Sequence, residues 1–276
     1  MHRFKAIMFD FDGTVTEPGQ YSPPQELADE LRSLAGKMPI AFCTGRQLES
    51  FMNHGFDSLG FNGDELKNLF LIAENGSIGY HFENGSAEEF YRADWPEDFV
   101  SRAKLMEDLV EVVKEFGMVY NNAHQVVVVM RTKIHYSEVR DIEVVNALSK
   151  QIFEVVAAYF AREYPGYEEY FHIGDSGIGV VICPAKGDKD NGIQKFAEYL
   201  RAKRSLELGN EAREILVIGD SPQVGGNDHY FLNGDYGTPY TVGHLEESNK
   251  NLRTVVSIDG KRLMHAEGTL HLLKGL

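Results

Sequence analysis

Residues 7–14 read Ile-Met-Phe-Asp-Phe-Asp-Gly-Thr. A short apolar strand, Lys5 to Phe9, runs directly into two carboxylates and a glycine turn. Asp10 and Asp12 stand two apart, so on an extended backbone their side chains lean the same way. Gly13 permits a sharp bend, and Thr14 leaves a hydroxyl and an amide at that bend. Two acids on one side of a strand end, beside backbone amides, suit a divalent cation and a phosphate. Taken alone, such a pair is equally a solvated strand end.

The 276 residues suffice for one large domain or two modest ones. A formal charge of −15 disfavours nucleic acid or an anionic membrane as the main partner. A pocket for phosphorylated molecules must then be locally positive. Cys43 and Cys183 lie inside apolar runs and have no CxxC partner, so they are expected as buried thiols in a reducing cytosol rather than zinc ligands. The first strand begins almost at the N-terminus, leaving no room for a signal peptide, and no run approaches a membrane helix in length. A cytoplasmic location is expected, and the NGS sequons at Asn75 and Asn84 then have no bearing.

The motif of strand followed by polar turn recurs along the chain. A helix is expected over QELADELRSLAGK, with Leu27, Leu31 and Leu34 at helical spacing and Gly36 at its end. Met38 to Cys43 is a second buried strand, ending in Thr44-Gly45-Arg46, and a helix is expected to follow over RQLESFMNHG. Thr44 suits a phosphoryl oxygen or a helix cap equally. Leu69 to Ala73 is a third strand, closed by Glu74-Asn75-Gly76-Ser77; Ile78 to Phe82 alternates and turns at Asn84-Gly85. Between Asp94 and Cys183 the order becomes helix (from Trp95-Pro96), strand pair (118–120, 125–131), helix (140–160), strand pair (170–173, 178–183). That repeat predicts a small α+β unit with one open sheet and helices on its back face. Its loops at Asn122 to Gln125 and Asp175 to Ser176 are expected to face the carboxylates, with Arg131 and Lys133 as candidate substrate ligands or simply a solvated strand face.

Beyond it, Lys186 and Lys189 precede a helix at 193–200. A lysine at a helix start opposes the helix dipole and needs a reason to be there. Glu214 to Ile218 is another buried strand, delivering Asp220 to the loop Gly219-Asp-Ser-Pro-Gln-Val-Gly-Gly-Asn-Asp228. Final edge strands are expected at 236–242 and 254–258, and a terminal helix at 268–276.

Four of these pieces, in this order, resemble the motifs of the haloacid dehalogenase-like hydrolases, most of which are phosphatases: DFDGT (10–14), CTGR (43–46), D-K-x-x-G-I (188–193) and GD…GGND (219–228). The last departs from the usual GDGxND spacing by an insertion, a form found in sugar-phosphate phosphatases and phosphomannomutases. About thirty residues separate the first two motifs and the long insertion follows the second, which with ENG resembles the Cof-type, sucrose-phosphatase-like branch. The resemblance implies an α/β fold: a Rossmann-like parallel-sheet core (1–83 plus 184–276) and an inserted α+β cap (84–183) that sets specificity.

It further implies a Mg²⁺-dependent phosphatase acting on a small phosphorylated metabolite, such as a sugar or polyol phosphate. Asp10 would be the nucleophile, forming an aspartyl-phosphate, and Asp12 the general acid and base. Asp10, the backbone carbonyl of Asp12, and Asp220 would hold Mg²⁺. Thr44 and Lys189 would hold the phosphoryl oxygens, in a site shared with Gly13, Thr14 and Gly45. Asp228 would orient Lys189, Asn227 would serve the Mg²⁺ shell or its loop, and Arg46 would touch substrate or brace its turn. Lys189 is preferred to Lys186 for its register to Ile193 and Phe196. GGND keeps a phosphomannomutase-like mutase as the alternative, and a non-catalytic sugar-phosphate binder is a further one, which has no use for a nucleophile and an acid together. The absence of GxGxxG after the first strand disfavours a dinucleotide-binding oxidoreductase. Oligomeric state and exact substrate are left open.

Overall fold

Alternation along the first strand divides the interior in two. In β1 (Ala6–Phe9), Ile7 and Phe9 enter one apolar core and Ala6 and Met8 the other. The strand is therefore covered on both faces, as parallel sheets require. The protein is described here from a computed structural model covering residues 4–83, 85–115, 117–121, 126–130 and 142–276. The expected loop at Asn122 to Gln125, the candidates Arg131 and Lys133, residue Asn84 and the first two residues of the 140–160 helix lie outside the described residues.

The remaining strands are β2 (Ile40–Cys43), β3 (Leu69–Ala73), β4 (Ile78–Glu83), β5 (Ser86–Arg92), β6 (Gly117–Asn121), β7 (Val126–Met130), β8 (Phe171–Asp175), β9 (Gly179–Pro184), β10 (Ile215–Gly219), β11 (Thr238–Thr241), β12 (Arg253–Val256) and β13 (Arg262–Leu263). Nine form one sheet, ordered β13-β12-β11-β10-β1-β2-β3-β4-β5. Its middle, β12 to β3, is parallel, and antiparallel strands close both edges. The chain leaves β1 toward β2 but returns through β10 on the other side. The carboxyl ends of β1 and β10 thus meet at a switch point, where such sheets bind ligands.

The helices are α1 (Gln25–Ala35), α2 (Leu48–Phe51), α3 (Asp57–Leu59), α4 (Arg102–Val113), α5 (Ile142–Glu163), α6 (Lys189–Arg204), α7 (His229–Asn233) and α8 (His265–Lys274). α1 and α8 pack with α2 and α3 on the Ile7/Phe9 face, and α6 and α7 on the Ala6/Met8 face. The second sheet, β6-β7-β9-β8, is antiparallel, with α4 and α5 on its back around Leu105, Leu109, Val156 and Phe160. This is the α+β unit expected from the repeat.

Several expected boundaries move for physical reasons. Ser86–Arg92 pairs with β4, so the expected division at residue 84 runs through a hairpin of the large sheet. That pairing satisfies an otherwise bare strand edge. The helix expected over 46–55 breaks into α2, a π-turn at Met52–Phe56 and α3, with Gly55 pressed against the Phe11 and Phe51 rings. The helix expected from Trp95 starts only at Arg102, because Trp95 Nε1 donates to Val100 O (2.9 Å) and closes a separate turn. Beyond β12, the expected edge, β13 adds one more antiparallel strand. α6 and α8 both begin earlier than expected, at Lys189 and His265.

Candidate active site

β1 carries its alternation one step past Met8, and Asp10 therefore emerges on the face covered by α6. Lys189 is the first residue of that helix, with Asp188 as its N-cap accepting from Asn191 N (2.7 Å). Lys189 is 1% exposed and Asp10 3%. The lysine Nζ donates to Asp10 Oδ1 and to Asp228 Oδ1, both at 2.6 Å. Burial alone would discharge Lys189, but Asp10 and Asp228 more than reverse that and hold it protonated. The competitor Lys186 is exposed and in no such arrangement.

What lets α6 start so close to the strand ends is the ENG turn. Glu74, Asn75 and Gly76 all take positive φ (51°, 59° and 111°). At Gly76 any Cβ would collide with the Asp188 carbonyl. The glycine thus admits the first turn of α6, a role for this motif that the sequence did not reveal.

β10 delivers Asp220, and the loop after it folds back so that Asp228 Oδ2 accepts from the amides of Asp220 (2.9 Å) and Ser221 (3.1 Å). Both Asp228 oxygens are thereby engaged, one by Lys189 and one by its own loop. Asp10, Asp220 and Asp228 each offer an oxygen within 4.8 Å of the others. Burial and the Asp228 charge push Asp10 from 3.8 up to about 7, although Lys189 pulls the other way. Burial and then Asp10 raise Asp220 well above the usual carboxylate range. Asp220 also packs where a side chain on Gly13 would sit: a Cβ there would be 2.5 Å from Asp220 Oδ2. Gly13 has φ +82°, and Thr14 Oγ1 reaches Asp220 Oδ1 at 3.4 Å.

Asp12 points elsewhere. Arg46 grips it with two bonds, Nε to Oδ2 at 2.9 Å and Nη2 to Oδ1 at 2.5 Å. The guanidinium lies over the rings of Phe11 and Tyr21. Thr44, 1% exposed, accepts from Arg46 N through Oγ1 (3.2 Å), which leaves its hydroxyl proton to donate. Gly45 lies beneath Val181 of β9. Of the expected site, Asp10, Gly13, Thr14, Lys189, Asp220 and Asp228 meet at the switch point, with Thr44, Gly45, Arg46 and Asp12 at the neighbouring strand ends.

The second sheet is applied to this site through the fourth motif. Asp175 N donates to Gly225 O (2.6 Å) and Asn227 N to Asp175 O (3.0 Å), a parallel bridge between the units. Gly225 (φ +84°) passes directly under Phe153 of α5. The extra residues of GGND thus serve the contact with the second sheet. The expected loop at Asp175 thus meets the loop that carries Asp220 and Asp228 through its backbone, while the Asp175 carboxylate turns back to Ser149 Oγ and Gly177 N. Asn227 makes its described hydrogen bond through its backbone. A second contact joins His172 of β8 to the core: its ring stacks on Tyr230 at 3.7 Å, and its Nδ1 lies 2.9 Å from Asp188 Oδ2. Neither residue carries a local sequence signal, because each acts across the interface. Where the chain leaves the large sheet and where it returns, Ser77 bonds to it: its O accepts from Ala93 N and its Oγ donates to Gly187 O.

Neither a family model nor a curated protein matches the sequence. Solved structures do match in fold. A haloacid dehalogenase-like hydrolase from B. subtilis superposes with a TM-score of 0.63 at 13% identity, over 99% of this chain and 100% of that one. This chain has the haloacid dehalogenase-like fold. The C-terminal domain of C. albicans trehalose-6-phosphate phosphatase gives 0.62 at 15% identity, over 99% and 93% of the two chains. IMP-bound, N-terminally truncated Plasmodium falciparum IMP-nucleotidase gives 0.63 at 13% identity, over 99% of this chain and 68% of that one. In haloacid dehalogenase-like terms, all four expected motifs stand at strand ends or at the helix start that faces them.

The charge of the site tests whether a dication fits. Asp10, Asp12, Asp220 and Asp228 face Lys189 and Arg46, four carboxylates against two cations, a net −2. Two of those acids have their charged forms disfavoured, first by burial and next by the neighbouring carboxylates. An all-oxygen donor set with that surplus suits Mg²⁺. Asp12 contributes no side-chain oxygen to that carboxylate cluster.

Proposed function

We propose that the protein is a Mg²⁺-dependent phosphatase of small phosphorylated metabolites, acting on a sugar or polyol phosphate through an aspartyl-phosphate. The observation that carries this reading is Lys189, buried between Asp10 and Asp228 at 2.6 Å from each. Such a lysine is costly as a structural device, since burying charges rarely adds stability over an apolar core. It is well suited to holding a nucleophilic carboxylate and a phosphoryl group together. The names of the solved relatives in fold, a trehalose-6-phosphate phosphatase and an IMP-nucleotidase, support a phosphate-ester substrate.

Asp10 attacks phosphorus with one oxygen while the ester bond to the leaving alcohol breaks in line. Asp12, freed from Arg46 and protonated as substrate binds, gives that proton to the alcohol, then accepts one from the water that cleaves the acyl-phosphate, regenerating Asp10 and releasing phosphate. Before substrate binds, Arg46 holds the Asp12 carboxylate from its seat over Phe11 and Tyr21. The Thr44 hydroxyl and Lys189 donate to phosphoryl oxygens. Asp10, Asp220 and the Asp12 carbonyl would hold Mg²⁺, which when bound offsets the surplus negative charge of the site and of the phosphoryl group. The second sheet is the cap that excludes water and selects the leaving group. A reducing cytoplasm fits the two free, buried cysteines.

Inorganic phosphate release from a panel of sugar, polyol, nucleotide and acyl phosphates, with Mg²⁺ or with EDTA, tests this. Mg²⁺-dependent release from sugar or polyol phosphates, lost in Asp10→Asn, is the expected result. A folded, Mg²⁺-binding wild type that releases phosphate from none of them refutes it. Isomer formation without net release would point to a mutase.

A further inference from the structure

We propose that the C-terminal helix belongs to the catalytic apparatus, with His265 and Thr269 as positioning residues for the Asp10–Asp12 turn. The inference rests on the phosphatase reading. His265 opens α8 with φ +50°, a left-handed conformation that few non-glycine residues adopt. Its N–H donates to Val242 O (2.8 Å), and its Nδ1 lies 2.7 Å from Gly13 O. A carbonyl only accepts, so Nδ1 carries the proton. Four residues on, and so on the same face of the helix, fully buried Thr269 donates through Oγ1 to Thr14 O (2.8 Å).

Two consecutive carbonyls just after Asp12 are thus held by two side chains 252 and 255 residues away. On its other side the Gly13 peptide meets the Asp220 carboxylate. A glycine turn has little stiffness of its own. Pinned from both sides, it keeps Asp12 and the Asp220 contact in one geometry. The helix that supplies the donors is itself anchored: Ala266 and Leu273 lie in the core, and Gly268 lies close to Leu263 O and Val242. Plain helix packing calls for apolar residues at 265 and 269, not for donors, and not for a strained histidine.

The test compares paired variants for kcat, KM and thermal midpoint. H265G removes the donor but relieves the backbone; H265N keeps a donor and tolerates the left-handed conformation. T269V removes the hydroxyl at equal volume; T269S restores it. H265G and T269V are expected to lower kcat about tenfold or more, since small misplacements at a reacting centre are expensive. KM should change little, and H265N and T269S should recover most of the loss. Wild-type kcat in H265G and T269V, or losses that simply follow thermal midpoint in all four, overturns the proposal. If the wild type releases no phosphate, the reaction assignment falls, and Mg²⁺ titration by calorimetry decides the positioning claim. Weaker Mg²⁺ binding in H265G and T269V than in H265N and T269S upholds it, and equal binding overturns it.

Discussion

Without a divalent cation, Asp10 should make the folded protein lose stability as pH rises toward neutrality. Burial, and next the charge of Asp228, carry its pKa from 3.8 to about 7 despite Lys189. In the unfolded chain the same carboxyl ionises near 3.9. Between the two values the unfolded state releases a proton that the folded state retains, so rising pH favours unfolding. The contribution is whole below the unfolded value and gone once pH passes about 7. At ~1.4 kcal/mol per pH unit, that interval amounts to about 4 kcal/mol. Roughly 2–3 kcal/mol of it falls between pH 5 and 7, or several degrees in melting temperature for a chain of this size. Asp64, Asp108 and Asp259 are held below the usual carboxylate range and act in the opposite sense, but at lower pH. Asp190, raised to about 6 by burial, and Asp220, raised well above the usual range by burial and then Asp10, act in the same sense, so a variant is needed to isolate Asp10. A dication favours the ionised carboxylates, and at a hundredfold excess over its Kd it adds about 2.7 kcal/mol. Scanning calorimetry from pH 5 to 8, in EDTA and in Mg²⁺, on wild type and Asp10→Asn reads all of this. The wild type in EDTA should melt lower at pH 7 than at pH 5, Mg²⁺ should raise the midpoint more at pH 7.5 than at pH 5, and Asp10→Asn should flatten both effects. Identical pH profiles for wild type and Asp10→Asn in EDTA would refute the reasoning.

Lys189→Met leaves Asp10 and Asp228 buried without their shared cation and should cost about 3–5 kcal/mol as well as activity; chemical denaturation and phosphate release measure both, and exposed Lys186→Ala should match wild type in each. Gly13→Ala puts a Cβ 2.5 Å from Asp220 Oδ2 at φ +82°. Its cost should be about 1–3 kcal/mol, with weaker Mg²⁺ binding by calorimetry, and unchanged binding would show that Asp220 does not depend on the Gly13 turn.

Much of this was legible before any coordinates. Apolar runs of four or five residues that end in acids or hydroxyls mark buried parallel strands, and DFDGT, CTGR and GD…GGND each sit where such a run stops. Lys189 could be preferred to Lys186 on register alone. Less legible was whatever depends on a partner strand. Ser86–Arg92 is polar and alternates weakly, so its place on the β4 edge is decided by open hydrogen-bonding groups there, not by its own pattern. The double glycine at 225–226 marks a tightly folding loop but not what it folds against; in the structure it threads beneath Phe153 and bonds to Asp175.

Hydrophobic period and turn residues are local properties of a chain, and they were enough to give the class of fold, the buried parallel strands and the chemistry waiting at their ends. Which of those groups meet is settled by packing. Placing β1 between β2 and β10 brings Asp10 beside Asp220. Seating the start of α6 against Gly76 drives Lys189 between Asp10 and Asp228, and folding α8 over the first turn brings His265 to Gly13. Those pairings join residues up to 252 positions apart. They arise because burying both faces of the sheet leaves each helix one place to lie, and no spacing along the chain records that geometry.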